Sequence, residues 1–122
     1  MKIAVTAQGR DLASSVDPNF GRAGRFLVVD TETGAFEAVD NTQSANAAQG
    51  AGIQSAQNLS RLGVAAVLTG NCGPNAFRAL SAAGIKVYTG ISGTVAQAVE
   101  DFKAGRLAPA DAANVEGRWG MK

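Results

Sequence analysis

Two consecutive strand-to-helix turns with the same glycine spacing constrain the fold of this chain more than any other feature. The apolar run at 64–69 leads into T-G-N-C-G, and the run at 85–89 leads into T-G-I-S-G. The first run is almost entirely apolar, which is typical of a parallel strand covered on both faces. Parallel strands are joined by right-handed crossovers, usually through a helix. The repeat therefore predicts parallel strands in a sheet with helices on both faces.

The other strands are predicted from apolar runs near the start of the chain. Residues 2–6 and 26–30 read K-I-A-V-T and F-L-V-V-D, and a turn at 32–34 leads into a third segment at 35–40. A short turn between two strands predicts an antiparallel hairpin. We therefore expect an α/β fold with a five-stranded mixed sheet, in which strand 2 is antiparallel.

Three helices are predicted from apolar residues at helical spacing. They begin near residues 53, 74 and 95, and each ends at a glycine. The small, polar stretch 41–52 predicts a surface loop. A chain of 122 residues fits one domain with its own core. We assign this domain to 1–107 and expect the aperiodic tail, 108–122, to be flexible or to fold back as a lid.

The charge balance and the missing histidine exclude several kinds of function. Lys and Arg number 11 against 10 Asp and Glu, so we expect no nucleic acid and no membrane partner. No apolar run approaches the roughly 18 residues of a membrane span, and the first residues lack the blocks of a signal peptide. We therefore expect a cytoplasmic protein. Without histidine there is no Ser-His-Asp triad, no Cys-His pair and no imidazole-ligated zinc.

A ligand site is predicted where the parallel strands end, because ligands of open α/β sheets bind beyond the carboxyl ends of the strands. Each T-G-x-x-G turn leads to a helix N-terminus, whose N–H groups and dipole favour an anion. Two such termini form a cradle, to which the loop 8–22 and Arg25 add positive charge; ordinary turn geometry and solvated arginines are the alternative explanation. The predicted site residues are Arg10, Phe20, Gly21, Arg22, Gly70, Asn71, Cys72, Gly73, Asn75, Gly90, Ser92, Gly93 and Thr94.

The single cysteine, Cys72, lies within the first of these turns. Cysteine often serves as a small buried side chain. An adjacent helix N-terminus, however, lowers the pKa of a thiol and suits it to reaction or to metal binding. Cys72 is therefore a candidate metal ligand, with a role in packing as the alternative.

Three enzyme signatures are incomplete in this chain. The stretch G-A-G-I-Q-S at 50–55 resembles the start of a dinucleotide fingerprint, but it lacks the third glycine and follows a loop. The glycine-rich turns carry no Walker lysine. A two-metal nuclease needs acidic residues on its central strands, and the runs at 2–6 and 64–69 contain none. The sequence therefore gives no support for these three classes of enzyme.

Six stretches form an ordered set of motifs between about residues 2 and 107. They are 15-SVDPNFGR-22, 27-LVVDTETG-34, 50-GAGIQ-54, 69-TGNCGPNAF-77, 83-AGIKVYTG-90 and 92-SGTV-95. Together they resemble the dinitrogenase iron-molybdenum cofactor biosynthesis family. The resemblance implies a ribonuclease-H-like fold and a protein that binds or carries an anionic metal-sulfur cluster without being an enzyme.

The resemblance also implies a cofactor and a partner. One of the small stand-alone members holds a mixed molybdenum-copper sulfide cluster, which is the expected ligand here; another iron- or molybdenum-containing sulfide cluster is the second choice. A protein that donates or receives the cluster is the expected partner. Relatives often have histidine at the positions of Asn19 and Arg118, so covalent imidazole ligation is not expected. Trp119 has the amphipathic character to cover the site if the tail folds back.

Two functions of other classes stay open. The same cradle suits a phosphate-containing metabolite or a nucleotide, as in a sensor or an enzyme. An adaptor protein that acts through its sheet edge or its tail needs no small ligand. Stabilisation against heat separates the three functions. A phosphate compound would protect a phosphate-binding sensor or enzyme, a thiometallate would protect a cluster carrier, and neither compound would protect an adaptor.

Overall fold

The computed structural model describes residues 1–41 and 51–111, which form one mixed sheet with helices on both faces. The strands are β1 (Lys2–Ala7), β2 (Arg25–Asp30), β3 (Phe36–Asp40), β4 (Ala66–Leu68) and β5 (Lys86–Tyr88). The helices are α1 (Ala51–Leu62), α2 (Pro74–Ala82) and α3 (Val95–Lys103). The predicted order of elements is confirmed, although β4 is shorter than the predicted strand at 64–69.

The sheet is mixed because its central strand has neighbours of opposite direction. The strand order is β3-β2-β1-β4-β5. Strand β1 pairs antiparallel with β2 and parallel with β4. The hairpin of β2 and β3 is antiparallel, and β4 pairs parallel with β5. The prediction of a five-stranded mixed sheet with an antiparallel second strand is confirmed.

The two faces of the sheet bury separate hydrophobic cores, because successive side chains of a strand point to opposite faces. Val67 packs in the core that includes Leu59 of α1 and Leu80 of α2. Its neighbour Leu68 packs in the core that includes Val95 of α3. Helices α1 and α2 therefore cover one face of the sheet, and α3 covers the other.

The glycines that follow α1 and α2 stop these helices as the sequence predicts. Gly63 and Gly84 have φ values of 74° and 77°. A residue with a side chain is strained in this left-handed conformation. The position after each helix therefore favours glycine. The short connections that follow place β4 and β5 directly after the helices.

The predicted surface loop at 41–52 is wrong at both ends. Asn41 is buried, and its side-chain amide donates hydrogen bonds to the Ala23 carbonyl at 2.8 Å and to the Ser55 hydroxyl at 3.0 Å. Buried polar groups require such partners, and helix α1 supplies one of them. Since α1 already begins at Ala51, only 42–50 separate it from Asn41, and these lie outside the described residues.

The start of the predicted tail lies beside the edge strand β5. The Ala110 N–H donates to the Val87 carbonyl at 2.7 Å. Residues 112–122, on which the prediction of a flexible tail or a lid over the site depends, lie outside the described residues. Within 1–41 and 51–111, no helix has the length and apolar character needed to cross a bilayer.

The loop 8–22 crosses the ends of β1 and β4 and is fastened there through its backbone. The Asp17 N–H donates to the Thr6 carbonyl at 2.8 Å. Further along, the Phe20 N–H donates to the Asn71 carbonyl at 3.1 Å. Between these bonds, Pro18 lies directly against Gly70: a Cβ atom at Gly70 would be 2.8 Å from both the Cα and the carbonyl oxygen of Pro18. Gly70 therefore permits the close approach of the loop.

We predict that Gly70→Ala destabilises the protein by about 1–3 kcal/mol, because the added methyl group overlaps the backbone of Pro18. Gly73→Ala is the matched control in the same turn, since no atom of the described residues lies within 4 Å of a Cβ at that position. Urea unfolding of both variants measures the difference. Equal unfolding midpoints for the two variants would contradict the close packing of the loop on Gly70.

Candidate functional site

The loop 8–22 and the turns 69–74 and 89–94 meet at the carboxyl ends of the parallel strands, where the sequence predicts a ligand site, and this region is called the crevice below. The two turns are bonded to each other: the Gly90 N–H donates to the Gly70 carbonyl at 2.8 Å, and the Ile91 N–H donates to the Thr69 carbonyl at 3.1 Å. The predicted T-G-x-x-G turns therefore lie side by side. The loop joins them through bridges between Asn19 and Asn71 and between Ser15 and Thr94.

The N-terminus of α3 is not open to a ligand, although its turn is part of the crevice. The Val95 N–H donates to the Ser14 carbonyl at 2.9 Å. The Ala96 N–H donates to the Leu12 carbonyl at 2.9 Å. The next N–H in the helix is capped by the side chain of Thr94. The prediction of two anion-binding helix ends is therefore wrong for α3, because the loop 8–22 accepts from two N–H groups of its first turn and Thr94 accepts from the third.

The N-terminus of α2 differs, because no side chain within 1–41 and 51–111 caps it. Pro74 occupies the first helical position, where it has no N–H to satisfy. The N–H groups of Asn75 and Ala76 meet no acceptor within the described part of the chain. The first bond of the helix is made by Phe77, whose N–H donates to the Gly73 carbonyl at 2.9 Å. The α2 terminus therefore offers donors and a positive dipole end to an anion.

The three arginines of the predicted site have different surroundings. Arg10 and Arg22 are exposed. Arg25 is half-buried, and its Nη1 donates to the Gln8 carbonyl at 3.1 Å, which fastens the start of the loop. Within the described ranges, no carboxylate forms an ion pair with Arg10 or Arg25. The crevice therefore has exposed positive charge on its loop in addition to the donors of α2.

Cys72 and Phe20 direct their side chains into the core below the crevice. Both are 1% exposed and pack in the core that α1 and α2 cover. The Phe20 ring lies 5.6 Å from that of Phe26, and the Cys72 thiol donates weakly to the Gly73 carbonyl at 3.7 Å. Burial raises the pKa of Cys72 to about 12. The predicted lowering of this pKa is wrong, because loss of hydration penalises the thiolate more than the helix dipole stabilises it.

The other predicted residues form the walls of the crevice. Gly90 and Gly93 have φ values of 74° and 84°, which require glycine in this turn. The Gly93 carbonyl accepts from the Val16 N–H at 2.9 Å and holds the loop against the turn. Ser92 is exposed, whereas Gly21 is half-buried beside Phe20 in the loop.

Sequence reasoning missed Thr6 and Thr69, which lie beneath the loop and are fully buried. The Thr6 hydroxyl donates to the Asp17 carbonyl at 2.7 Å, and the Thr6 and Thr69 hydroxyls hydrogen-bond to each other at 3.0 Å. The signal was available, because both apolar runs end in threonine directly before the loop or the turn.

The described residues contain no group of three or more histidine, cysteine, aspartate and glutamate side chains that could hold a metal ion. The exposed polar groups of the loop and the turns include the side chains of Arg10, Arg22, Asn75 and Ser92 in addition to backbone N–H groups. These donors suit an anionic ligand.

Comparison with known proteins gives relatives that span most of the chain. The apo form of the orange protein from Desulfovibrio gigas is similar in structure, with 50% identity, a TM-score of 0.92, and coverage of 93% of this chain and 96% of that one. A Thermotoga structure described as a candidate NifB protein has 40% identity and a TM-score of 0.81, with coverage of 95% and 98%.

A sequence relative from Methanocaldococcus jannaschii, an uncharacterized protein, is 32% identical over 110 residues, which are 88% of this chain and 89% of that protein. The family model described as dinitrogenase iron-molybdenum cofactor matches residues 1–105, which include all three walls of the crevice. The resemblance seen in the six sequence motifs is thereby confirmed, and the chain belongs to the dinitrogenase iron-molybdenum cofactor family.

Proposed function

We propose that this protein binds and carries an anionic metal-sulfur cluster, and that it catalyses no reaction on the cluster. The name of the family and the likeness to the orange protein support this class of ligand. The observation that carries the proposal is the N-terminus of α2, where the N–H groups of Asn75 and Ala76 meet no acceptor among the described residues. We propose a molybdenum-copper sulfide cluster as the ligand.

The donors of the crevice fit a thiometallate for electrostatic reasons. A helix N-terminus carries roughly half an elementary positive charge, and its N–H groups point along the axis toward an anion. The sulfide atoms of such a cluster already surround its metals and spread the negative charge over a large surface. The protein then needs N–H groups and exposed cations such as Arg22, and few direct metal ligands.

Ligation of the metal by Cys72 remains a prediction. Before Cys72 could bind a metal, two properties of its side chain would have to change. The sulfur would have to leave the core in which it is 1% exposed. The thiol would also have to lose a proton that burial holds with a pKa of about 12. We therefore propose a cluster held without covalent bonds to the protein, above a turn that Cys72 supports by packing.

Further proposals follow from the family and the topology. The sheet order β3-β2-β1-β4-β5, with helices on both faces, supports the ribonuclease-H-like fold that the resemblance implies. A carrier needs a protein that donates the cluster or receives it, and we propose such a partner in the cytoplasm. We also propose that residues 1–107 suffice for binding and that the tail acts as a lid.

Reconstitution tests the proposed function directly. The purified apo-protein is mixed with tetrathiomolybdate and a copper salt and desalted, and its visible spectrum, metal content and sulfide content are recorded. We expect a coloured protein that retains molybdenum and copper in a fixed ratio to protein. Colourless protein without retained metal would overturn the proposal.

A phosphate compound is the second candidate ligand, because helix N–H groups bind phosphate as readily as other anions. Thermal unfolding with inorganic phosphate, a nucleotide or tetrathiomolybdate separates the candidates. At a ligand concentration of 100 times Kd, binding adds about 2.7 kcal/mol of stability. We expect this stabilisation with tetrathiomolybdate and not with the phosphate compounds. The opposite pattern favours a phosphate-binding sensor or enzyme, and no stabilisation by any of them favours an adaptor.

We predict that Arg22→Ala weakens retention of the cluster about fivefold, which corresponds to about 1 kcal/mol for an exposed charge. It also lowers the dependence of binding on salt, because one screened interaction is lost. Arg61→Ala removes the same charge from the last turn of α1, close to the amino end of β4 and away from the crevice, and is the matched control. Equal retention and equal salt dependence in both variants would exclude Arg22 from the site.

We predict that the Cys72 thiol is unreactive in the folded protein, because a pKa of about 12 leaves about one thiol in ten thousand ionised at pH 8. A disulfide reagent such as dithionitrobenzoate should react much faster after unfolding in guanidinium. Reaction at the same rate in folded and unfolded protein would contradict the buried position of the thiol.

The same pKa predicts how stability depends on pH. The unfolded thiol ionises above about pH 8.5, whereas the folded thiol keeps its proton up to about pH 12. The unfolded state therefore binds fewer protons in this window, and the free energy of unfolding falls with rising pH by up to about 1.4 kcal/mol per unit. Cys72→Ala removes this slope. If Cys72→Ala and Cys72→Val, which fills the space of the thiol, both remain folded and both lose the cluster, Cys72 is a metal ligand and the non-covalent proposal is wrong.

A further inference from the structure

The proposed function assigns no role to the hydrogen-bonded hydroxyls of Thr6 and Thr69, which are buried beneath the loop 8–22. Both side chains are 0% exposed, at the carboxyl ends of adjacent strands. Resting on the proposed function, we infer that Thr6 is a positioning residue: its hydroxyl fixes the loop 8–22 at the height above Gly70 that sets the width of the crevice. Thr6 touches no ligand and acts through the loop.

Thr6 holds Asp17 by both backbone groups of that residue. The Asp17 N–H donates to the Thr6 carbonyl at 2.8 Å, and the Thr6 hydroxyl donates to the Asp17 carbonyl at 2.7 Å. One residue of β1 therefore fixes both the position and the rotation of the peptide planes around Asp17. The next residue, Pro18, is the one whose backbone lies against Gly70.

The two hydroxyls have a defined order of donation. A hydroxyl has one hydrogen, and that of Thr6 goes to the Asp17 carbonyl at 2.7 Å. The hydrogen between the two hydroxyls, which are 3.0 Å apart, therefore comes from Thr69. Thr69, after β4, thus donates to Thr6 of β1, and Thr6 donates to Asp17 of the loop. The Thr6 side chain therefore connects the end of β4 with the loop.

The loop residues after Pro18 depend on this attachment. Asp17 Oδ1 accepts from the Asn19 N–H at 3.0 Å, and the Phe20 N–H then reaches the Asn71 carbonyl at 3.1 Å. Arg22 follows within the same loop. When the Thr6 hydroxyl is removed, the Asp17 carbonyl and the Thr69 hydroxyl lose a partner. Buried groups without partners are costly, so the loop gives up its position and exposes them to water.

Thr6→Val tests the inference, because valine keeps the shape of threonine and removes the hydroxyl. Thr6→Ser keeps the hydroxyl and serves as the rescue variant. Thr69→Val removes the hydrogen bond between the two hydroxyls and keeps the bond from Thr6 to Asp17. It is the milder variant, to be used if Thr6→Val fails to fold. Leu80→Val is the control for general loss of stability, since Leu80 is a fully buried residue near the end of α2.

The first measurement needs no cluster. Trypsin cleavage after Arg10 or Arg22 in the folded protein reports release of the loop. We expect cleavage of Thr6→Val to be about tenfold faster than that of the unchanged protein, with Thr69→Val between them and with Thr6→Ser and Leu80→Val unchanged. Cleavage of Thr6→Val and Thr69→Val at the original rate would overturn the inference, whether or not the protein binds a cluster.

The second measurement is retention of the reconstituted molybdenum-copper cluster and its visible spectrum. We expect Thr6→Val to retain about fivefold less cluster with an altered spectrum, and Thr6→Ser to restore both. If the unchanged protein retains the cluster and Thr6→Val matches it, the inferred role of Thr6 in the site is wrong while the proposed function stands. If the unchanged protein retains none, the proposed function fails and the trypsin assay alone decides whether Thr6 positions the loop.

Discussion

The attachment of the loop 8–22 to the buried end of β1 is the interaction on which the crevice depends. Strand β1 is the centre of the sheet, so polar groups at its carboxyl end have no water around them and must bond within the protein. Thr6 meets this requirement by binding Asp17 through its backbone and its hydroxyl. Pro18, which lies against Gly70, and the buried Phe20 come directly after this attachment in the chain.

The same attachment makes two similar turns serve different purposes. Both turns read T-G-x-x-G, but the carbonyls of Leu12 and Ser14 accept from the first N–H groups of α3. The start of α3 therefore holds the loop in place. The start of α2 has no such acceptor among the described residues, which supports the anion site proposed there. The two helix ends of the predicted cradle therefore differ, because only the α3 N–H groups are bonded to the loop.

Burial of the only thiol is consistent with this kind of site. Cys72 stands at the start of α2, where a surface thiol would ionise readily, yet its side chain is part of the core with Ala76. The protein therefore offers the crevice hard N–H donors and positive charge, and keeps its one soft sulfur below the surface. A carrier that must release its cluster to a partner benefits from contacts that do not replace the ligands of the metal.

The sequence alone determined the order of the elements, the antiparallel hairpin and the glycines that end the helices, because hydrophobic period and left-handed glycine positions are local properties. It also determined the family, through six ordered motifs. Only the tertiary structure decided that Asn41 is buried, that α3 is capped by the loop, and that Cys72 faces the core. Each of these depends on contacts between residues far apart in the chain, such as Leu12 with Ala96 and Thr6 with Thr69, and no local pattern encodes which partner a polar group finds after folding.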